Sequence, residues 1–301
     1  MELPNNCTIW TNGRLMTMDA NIDQEYGLLD QHDIITQDDQ IIAILPSATY
    51  TKPADAITID LANSLVTPGF IDCHTHLVFG GNRAKEWEMR LNGVPYIEIA
   101  KQGGGINSTV RNTRELSEQA LYDLAFPRML SLANEGVTTI ESKSGYGLDL
   151  DNERKQLKVS QDLAKNYPIE IASTLLSAHA VPPEYKDKAD EYIDLICETI
   201  MPTLWQEGLY EAVDVFCESV GFSLEQTKKV FDRAKALGIP VKGHMEQMSN
   251  LGGSELIAKY NGLSVDHIEF LDEAAIKAIS QSGTVATLLP LAFYFLRETQ
   301  K

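Results

Sequence analysis

Two hydrophobic patterns divide the chain near residue 65. Before that point, short segments of alternating apolar and polar residues are separated by turn formers such as Asn12-Gly13 and Asp38-Asp39. This pattern is typical of small antiparallel strands and hairpins. The expected strands are Thr8–Trp10, Ile34–Thr36, Ile41–Leu45 and Ile57–Leu61. We therefore predict a small β-domain over residues 1–64.

From Leu65 onwards, continuous apolar segments alternate with segments of helical periodicity. Such strands are buried on both faces and indicate a parallel sheet covered by helices. Strands are expected at Leu65–Leu77, Val137–Ser142, Ile169–His179, Ala212–Glu218, Ile239–His244, Leu263–Phe270 and Gly283–Leu289. Helices are expected at Glu115–Glu135, Asn152–Lys165, Glu184–Glu207, Leu224–Leu237, Gly253–Asn261 and Glu273–Ser282. The pattern predicts a (β/α)8 barrel of the TIM type over residues 65–301, with the eighth strand missing.

Two stretches of this region do not fit the alternation of strands and helices. The longest non-periodic stretch, residues 78–114, is expected to be a loop that folds over the site after the first barrel strand. The apolar segment Val285–Leu296 is shorter than the roughly 20 residues that a bilayer-spanning helix needs. It also contains Pro290, and we expect it to belong to the core.

Composition restricts the partners and the cellular compartment. The formal net charge is −18, which disfavours binding to nucleic acids and to anionic membrane surfaces. The acid excess says little about the substrate, because a local cationic pocket can lie in an acidic protein. The first residues lack the basic and apolar regions of a signal peptide, and the four cysteines form no CxxC pair. These features predict a cytoplasmic protein without a disulfide framework.

The first barrel strand ends in a His-Thr-His motif. Residues i and i+2 of a strand point to the same face, so His74 and His76 present neighbouring imidazoles. Two neutral imidazoles in this arrangement can chelate a divalent metal. Taken alone, the motif is equally compatible with one histidine that caps the strand and another that is solvated.

The other histidines strengthen the interpretation as a metal site. Of the six histidines, five lie at or beside the ends of predicted strands, and only His32 lies elsewhere. The carboxyl ends of barrel strands meet on one face, where catalytic residues sit. There His74, His76 and His244 would form a three-nitrogen site with open positions, as in catalytic metal centres, and a carboxylate is expected as the fourth ligand.

Longer motifs extend this picture to nearly the whole chain. They are TPGFIDCHTH, VFGGNRAKEWEMR, GGGINSTVRNTR, KSGYGLD, LLSAHAVPPEY, AVDVFCE, VKGHMEQMSNLGG, VDHIEFLDE and LLPLAFYFLRET. In combination they resemble the imidazolonepropionases, a family of the amidohydrolase superfamily. The resemblance implies hydrolysis of the cyclic amide of 4-imidazolone-5-propanoate to N-formimidoyl-L-glutamate in histidine degradation. It also implies one zinc or iron ion and, because relatives are often dimers, a homodimer.

The family motifs assign roles to individual residues. His74, His76 and His244 match the metal ligands. The residues that match substrate contacts of the family are Arg83, Tyr96, Tyr146, His179 and Gln247. The residues that match its catalytic groups beside the reacting ring are His267 and Gln247.

Chemistry supports several of these assignments and leaves alternatives open. Arg83 can bind the propionate through two hydrogen bonds, although it could instead pair with Glu86 on the surface. His267 is suited to hydrogen-bond the developing oxyanion or to move a proton, although Asp266 could hold it as a core histidine. Gln247 is neutral, so we assign it to ring binding. Glu218 ends a strand where binuclear relatives place a bridging group.

The sequence departs from the family pattern at its end. Members continue through an eighth strand with a Thr-Asp-x-Asn-Pro-Gly motif, whose aspartate is the fourth ligand and accepts the proton of the bound water. We therefore expect a fragment that binds metal weakly and turns over its substrate slowly or not at all. The alternatives are a related aminohydrolase of purine or pyrimidine rings and an inactive remnant.

Overall fold

The computed structural model describes residues 2–94, 98 and 104–296. These residues fall into two compact units that divide after Gly69. Among the helices described, none is long and apolar enough to cross a membrane.

The first unit is a sheet built around its first strand. Its strands are β1 Thr8–Met16, β2 Leu28–Gln37, β3 Gln40–Pro46, β4 Ile57–Asp60 and β5 Leu65–Val66. Strands β1, β2 and β3 are antiparallel neighbours, as the alternating pattern predicts. Strands β4 and β5, however, pair with β1 in parallel, so the expectation of a purely antiparallel sheet was wrong. The segment between β3 and β4 is long enough to cross over the sheet and return the chain in the same direction.

A small apolar core and one buried carboxylate stabilise this unit. Cys7, Ile9 and Ile35 are fully buried on one face of the sheet. Beside them, Asp33 accepts hydrogen bonds from Ser47 Oγ at 2.9 Å and from Tyr50 Oη at 2.5 Å.

The second unit contains one parallel sheet whose seven strands follow the order of the chain. They are β6 Phe70–Thr75, β7 Val137–Lys143, β8 Glu170–Ala178, β9 Ala212–Cys217, β10 Val241–Met245, β11 Ser264–His267 and β12 Val285–Thr287. Strands β6 and β12 are the two edges of this sheet in the part of the chain that is described. Each expected strand is present. Strand β7 is one residue longer than expected, and the other six are shorter than their apolar runs, because the residues at the ends of those runs continue into loops.

Helices follow the strands. They are α1 Ala84–Leu91, α2 Ile106–Glu115, α3 Glu118–Asn134, α4 Leu150–Asn166, α5 Ala189–Leu195, α6 Met201–Gln206, α7 Leu224–Leu237, α8 Gly253–Lys259, α9 Glu273–Ser282 and α10 Pro290–Leu296. A π-helical segment, Ile196–Ile200, joins α5 to α6, so the helix expected over Glu184–Glu207 is interrupted. The bounds of α7 match the sequence because Ser223 and Gln226 form a capping box and Gly238 ends the helix in the left-handed conformation.

The apolar run Leu65–Leu77 is not one strand. It divides into β5, which pairs with β1, and β6, which pairs with β7. Pro68 lies between the two segments. Proline lacks the backbone N–H that a continuous ladder would use, so it separates the segments.

Two further expectations were wrong. The stretch over residues 78–114 contains helices α1 and α2 rather than a loop alone. Within the segment Val285–Leu296, most of residues 285–294 are exposed, with Leu291 at 81% and Tyr294 at 82% of their free surface. Its strand, β12, is a sheet edge among the described residues, so one side of it packs against no neighbouring strand.

Candidate metal centre and substrate site

Five imidazoles gather at the carboxyl ends of four strands. His74 lies on β6 and His244 on β10, while His76, His179 and His267 lie at or just past the ends of β6, β8 and β11. The ring centroid of His74 lies 4.6 Å from that of His244 and 5.4 Å from that of His267. The rings of His76 and His179 stack with centroids 5.1 Å apart. Histidines far apart in the sequence therefore share one site, and His32 lies in the first unit.

Three of these side chains can bind one cation. His74, His76 and His244 each offer a ring nitrogen, and these nitrogens lie within 4.8 Å of one another. Both ring nitrogens of His244 and Nδ1 of His76 are buried and make no hydrogen bond among the described residues. A buried nitrogen without a partner is costly in a structural core, whereas a metal would use its lone pair. The donor set therefore fits a divalent metal.

Two aspartates orient the imidazoles from behind. Nδ1–H of His74 donates to Oδ2 of Asp266 at 2.7 Å, which leaves Nε2 as the free nitrogen. Nδ1 of His244 lies 3.0 Å from Oδ2 of Asp214, and the backbone N–H of His244 donates to Oδ1 of the same aspartate at 3.1 Å. Carboxylates in this position fix the tautomer and the ring orientation of metal-binding histidines.

Burial keeps the imidazoles neutral. It lowers the pKa of His244 to about 3 and that of His179 to about 4. It also lowers the pKa of His74, and that of His76 falls well below its ordinary value. Neutral imidazole is the form that binds metals, so no proton has to be displaced from these ligands at pH 7.

A buried charge cluster beneath the histidines is not evident from the motifs. Nζ of Lys143 lies 2.7 Å from Glu141, 2.8 Å from Asp214 and 3.2 Å from Asp266. Burial opposes ionisation of Asp214, but His244 and Lys143 nevertheless hold its pKa well below the usual value. The signal available in the sequence was Lys143 within an apolar strand, because a buried lysine requires anionic partners.

Arg83 supplies a cation at the edge of the site. Its Nε donates to Thr109 Oγ1 at 3.0 Å, and its guanidinium carbon lies 5.8 Å from the ring centroid of Tyr146. Nη2 is buried and has no hydrogen-bond partner among the residues described. Glu86, the alternative partner considered from the sequence, accepts the backbone N–H of Gly105 at 2.9 Å. An unpaired guanidinium N–H in a buried position is suited to an anionic ligand.

The segment that carries Tyr146 is fixed by helix α4. The carboxylate of Glu153 accepts the backbone N–H groups of Gly145, Gly147 and Leu148 at 2.8–3.2 Å. Gln156 accepts the N–H of Tyr146 at 3.1 Å. The ring of Tyr146 consequently lies 5.3 Å from that of His76 and 5.2 Å from that of His179, measured between centroids. Sequence analysis missed Glu153, whose place on a helical pattern gave no sign of this contact.

The segment that carries Gln247 is fixed by Glu218, which is buried. Oε1 of Glu218 accepts the N–H groups of Met248 and Ser249 at 2.9 and 3.3 Å, and Oε2 accepts Ser249 Oγ at 2.5 Å. These contacts occupy both oxygens, so the structure gives Glu218 a role in the loop rather than a bridge between metals. Gln247 is half-buried at the bend after β10.

Glu246 and His267 complete this side of the site. The carboxylate of Glu246, buried, accepts the N–H groups of Gly253 and Ser254 and the hydroxyl of Ser254, at the start of α8. His267 and Ile268 both adopt positive φ, at 81° and 66°, which is strained for such residues. Asp266 does not hold His267, because its contacts are His74, Lys143 and Ser264.

One predicted substrate contact falls in a gap of the described chain. Tyr96 is outside the described residues, and its assignment stays a prediction.

Comparisons with known proteins give consistent matches. The model of the amidohydrolase family matches residues 65–291. Imidazolonepropionase of Photorhabdus laumondii is 59% identical over 300 residues, covering 100% of this chain and 72% of that protein. Imidazolonepropionase of Klebsiella pneumoniae is 60% identical over 300 residues, covering 100% of this chain and 73% of that protein.

A solved structure shares the fold. The crystal structure of 5-methylcytosine deaminase from Klebsiella pneumoniae, liganded with 5-fluorocytosine, aligns with a TM-score of 0.64 and 17% identity. The alignment covers 92% of this chain and 64% of that one. Together with the seven parallel strands, these matches confirm the predicted class, a (β/α) barrel with a small N-terminal β region.

Proposed function

The chain belongs to the imidazolonepropionase family of amidohydrolases, and from this premise we propose that it hydrolyses the ring amide of 4-imidazolone-5-propanoate. Water adds across the C–N bond, so that its oxygen becomes part of a carboxylate and the ring nitrogen gains a proton. The product is N-formimidoyl-L-glutamate, an intermediate of histidine degradation. The observation that carries this proposal is the convergence of the buried imidazoles beside the unpaired Nη2 of Arg83.

We propose that His74, His76 and His244 hold a single zinc or iron ion. Such an ion supplies a water of lowered pKa and polarises a carbonyl oxygen. The choice between the two metals rests on family resemblance alone, since three imidazoles accept either. With both oxygens of Glu218 engaged by the loop, the donor set favours one ion over two.

The chain's own side chains orient the substrate. Arg83 binds the propionate through Nη2, while the rings of Tyr146 and His179 line the same side of the site. A fixed cation holds the carboxylate and so places the ring over the three histidines. Nδ1–H of His179 donates to the carbonyl of Gly145 at 3.0 Å, so its Nε2 is available to accept a hydrogen bond.

The reacting carbonyl requires a donor, and we assign that role to His267. Its ring centroid lies 5.4 Å from those of both His74 and His244, so it faces the same space as the metal ligands. Its strained backbone is the kind of local cost that a fold retains at functional positions. Gln247, which is neutral, binds the ring through its amide.

The direct test is turnover of 4-imidazolone-5-propanoate by the purified chain with added zinc or iron. Nuclear magnetic resonance would follow the appearance of the formimidoyl proton. We expect product formation that the His244→Ala variant abolishes. Absence of product at saturating metal, or equal turnover by His244→Ala, would contradict the proposal.

The same assay separates the alternatives. A purine or pyrimidine aminohydrolase would release ammonia from an uncharged ring and would have no use for Arg83, so cytosine and adenine are the comparison substrates. We expect neither to react, because the buried, unpaired Nη2 of Arg83 is suited to an anionic group that both compounds lack. An inactive remnant would turn over none of the three compounds.

The remaining assignments concern location and partners. We propose a cytoplasmic homodimer that binds a small anionic substrate and neither nucleic acid nor membranes. Light scattering of the purified chain tests the dimer.

A further inference from the structure

The side chain of Lys143 is completely buried beneath the metal centre. Its ammonium group lies within 3.2 Å of carboxylate oxygens from Glu141, Asp214 and Asp266. These residues come from three alternate strands of the sheet, namely β7, β9 and β11. One ammonium group therefore connects carboxylates from strands that are not adjacent in the sheet.

Two of these carboxylates reach the metal ligands. Oδ2 of Asp214 lies 2.8 Å from Nζ of Lys143 and 3.0 Å from Nδ1 of His244. Oδ2 of Asp266 lies 3.2 Å from the same Nζ and accepts Nδ1–H of His74 at 2.7 Å. The contacts form a continuous chain, His244–Asp214–Lys143–Asp266–His74, which closes behind the two imidazoles.

The ammonium charge is needed for this arrangement. Two carboxylates buried side by side repel each other strongly, and a shared cation between them removes that repulsion. Without the cation, at least one aspartate would turn away from the other. That movement would release the imidazole that it contacts, because the carboxylate fixes both the tautomer and the ring plane.

We propose that Lys143 is a positioning residue of the metal centre, which fixes His74 and His244 through Asp266 and Asp214. The inference rests on the proposed role of these histidines as ligands. It goes beyond that role because it assigns the geometry of the ligands to a residue that touches neither metal nor substrate.

The chain offers a matched control in Lys242. This second lysine, also buried, has its Nζ 2.8 Å from Oε1 of Glu141. Within the described part of the chain, neither Asp214 nor Asp266 is at ion-pair distance from it. Removal of Lys242 therefore removes a buried cation from the same cluster but leaves both aspartate–histidine contacts in place.

The experiment compares Lys143→Met with Lys242→Met in the full chain. Cobalt(II) is the probe, because its absorption bands report ligand geometry while chelator competition gives its dissociation constant. We expect Lys143→Met to weaken cobalt binding by about 10- to 100-fold, the range for lost outer contacts of metal ligands, and to change the band positions. Lys242→Met should bind within about threefold of the parent and keep its spectrum.

A second pair of variants serves as a control for misfolding. Lys143→Met leaves excess buried negative charge, which Glu141→Gln together with Lys143→Met partly relieves. We expect this double variant to bind cobalt as weakly as Lys143→Met, and Glu141→Gln alone to bind like the parent. Thermal unfolding of the metal-free proteins verifies that each variant folds.

A measurement without metal separates this inference from the proposed function. The six histidines can be labelled with ¹⁵N, and long-range ¹H–¹⁵N correlations report their tautomers. In the metal-free parent, we expect His74 and His244 to carry the proton on Nδ1. In Lys143→Met, at least one of them should lose this single tautomer, whereas Lys242→Met should retain both.

The outcomes are distinguishable. If the parent binds no cobalt, the proposed metal centre fails, and the tautomers alone decide the role of Lys143. Unchanged tautomers in folded Lys143→Met overturn the inference. So does a loss of cobalt affinity of equal size in Lys242→Met, because that result would indicate a general effect of buried charge.

Discussion

At the scale of single residues, burial decides which chemical form a histidine takes. His179 is buried, and its Nδ1–H donates to the carbonyl of Gly145. Burial lowers its pKa to about 4, although this hydrogen bond acts in the opposite direction. The same effect leaves the neighbouring ligands neutral, so the site is ready for a cation at physiological pH.

The low pKa of His179 predicts a loss of stability in acid. The unfolded chain takes up a proton near pH 6.5, whereas the folded chain does so near pH 4. Stability is therefore unaffected above about pH 6.5 and falls between pH 6.5 and 4, by about 3 kcal/mol from this residue over the whole interval. Urea unfolding of the metal-free protein at several pH values measures the slope. His179→Asn keeps a donor for Gly145 and does not titrate, so its slope should be smaller; an equal slope would contradict the assignment.

The contribution of Arg83 to substrate binding can be measured by substitution. Replacement by methionine removes the buried cation, and we expect KM for 4-imidazolone-5-propanoate to rise by about 10- to 100-fold, since charge-assisted hydrogen bonds contribute about 1.5–3 kcal/mol. Arg83→Lys should recover only part of this loss, because an ammonium group cannot bind both carboxylate oxygens in one plane. The exposed Arg111 on α2 is the control, and Arg111→Met should leave KM unchanged. An unchanged KM in Arg83→Met would remove Arg83 from the site.

At the scale of elements, side chains from one strand or helix fix the loop that follows another. Glu153 on α4 holds the backbone around Tyr146, which follows β7. Glu218, just past β9, holds the loop that follows β10 and carries Gln247. Buried carboxylates that accept backbone N–H groups hold these loops in one position, which a catalytic site requires.

This arrangement predicts that replacing Glu218 lowers the stability of the protein without changing its affinity for metal. Glu218→Ala leaves the N–H groups of Met248 and Ser249 without their buried acceptor, which should lower the free energy of unfolding by about 2 kcal/mol. Zinc affinity should stay within about twofold, because Glu218 contacts no ligand. Ser249→Ala removes only one of the contacts and should destabilise less. A large loss of zinc affinity in Glu218→Ala would instead identify its carboxylate as a ligand.

At the scale of the whole molecule, the metal centre joins strands that are distant in the sequence. His74 on β6 and His244 on β10 meet across the sheet, and Lys143 on β7 contacts carboxylates on β9 and β11. A ligand that binds only this folded arrangement stabilises all of these strands together.

Zinc should therefore raise the melting temperature of the chain. At a free concentration 100 times the dissociation constant, the expected stabilisation is about 2.7 kcal/mol, or about 5 °C for a protein of this size. Differential scanning calorimetry measures the shift, which should reverse with a chelator. His244→Ala should show no shift, and His32→Ala, in the first unit, should show the full shift. An equal shift in both variants would place zinc outside the predicted centre.

The sequence predicts the order of strands and helices well, because each element depends on local patterns. Helix α9 begins and ends where its pattern does, since Asp272 caps its first turn and Gly283 ends it in the left-handed conformation. The burial of Val285–Leu296 was predicted wrongly, because burial does not depend on the local pattern alone. An apolar run reveals that burial is favourable, but which face is covered depends on the neighbours that the fold provides.

The sequence by itself determined the alternation of strands and helices, the family and the metal-ligand motif. These depend on periodicity and on short motifs, both of which are local properties of the chain. Only the tertiary structure decided that Lys143 lies between Asp214 and Asp266, that Glu218 holds a loop, and that Nη2 of Arg83 is unpaired. Each of these facts depends on the distance between residues far apart in the sequence, and a buried charge finds its partners only when the sheet has assembled around it.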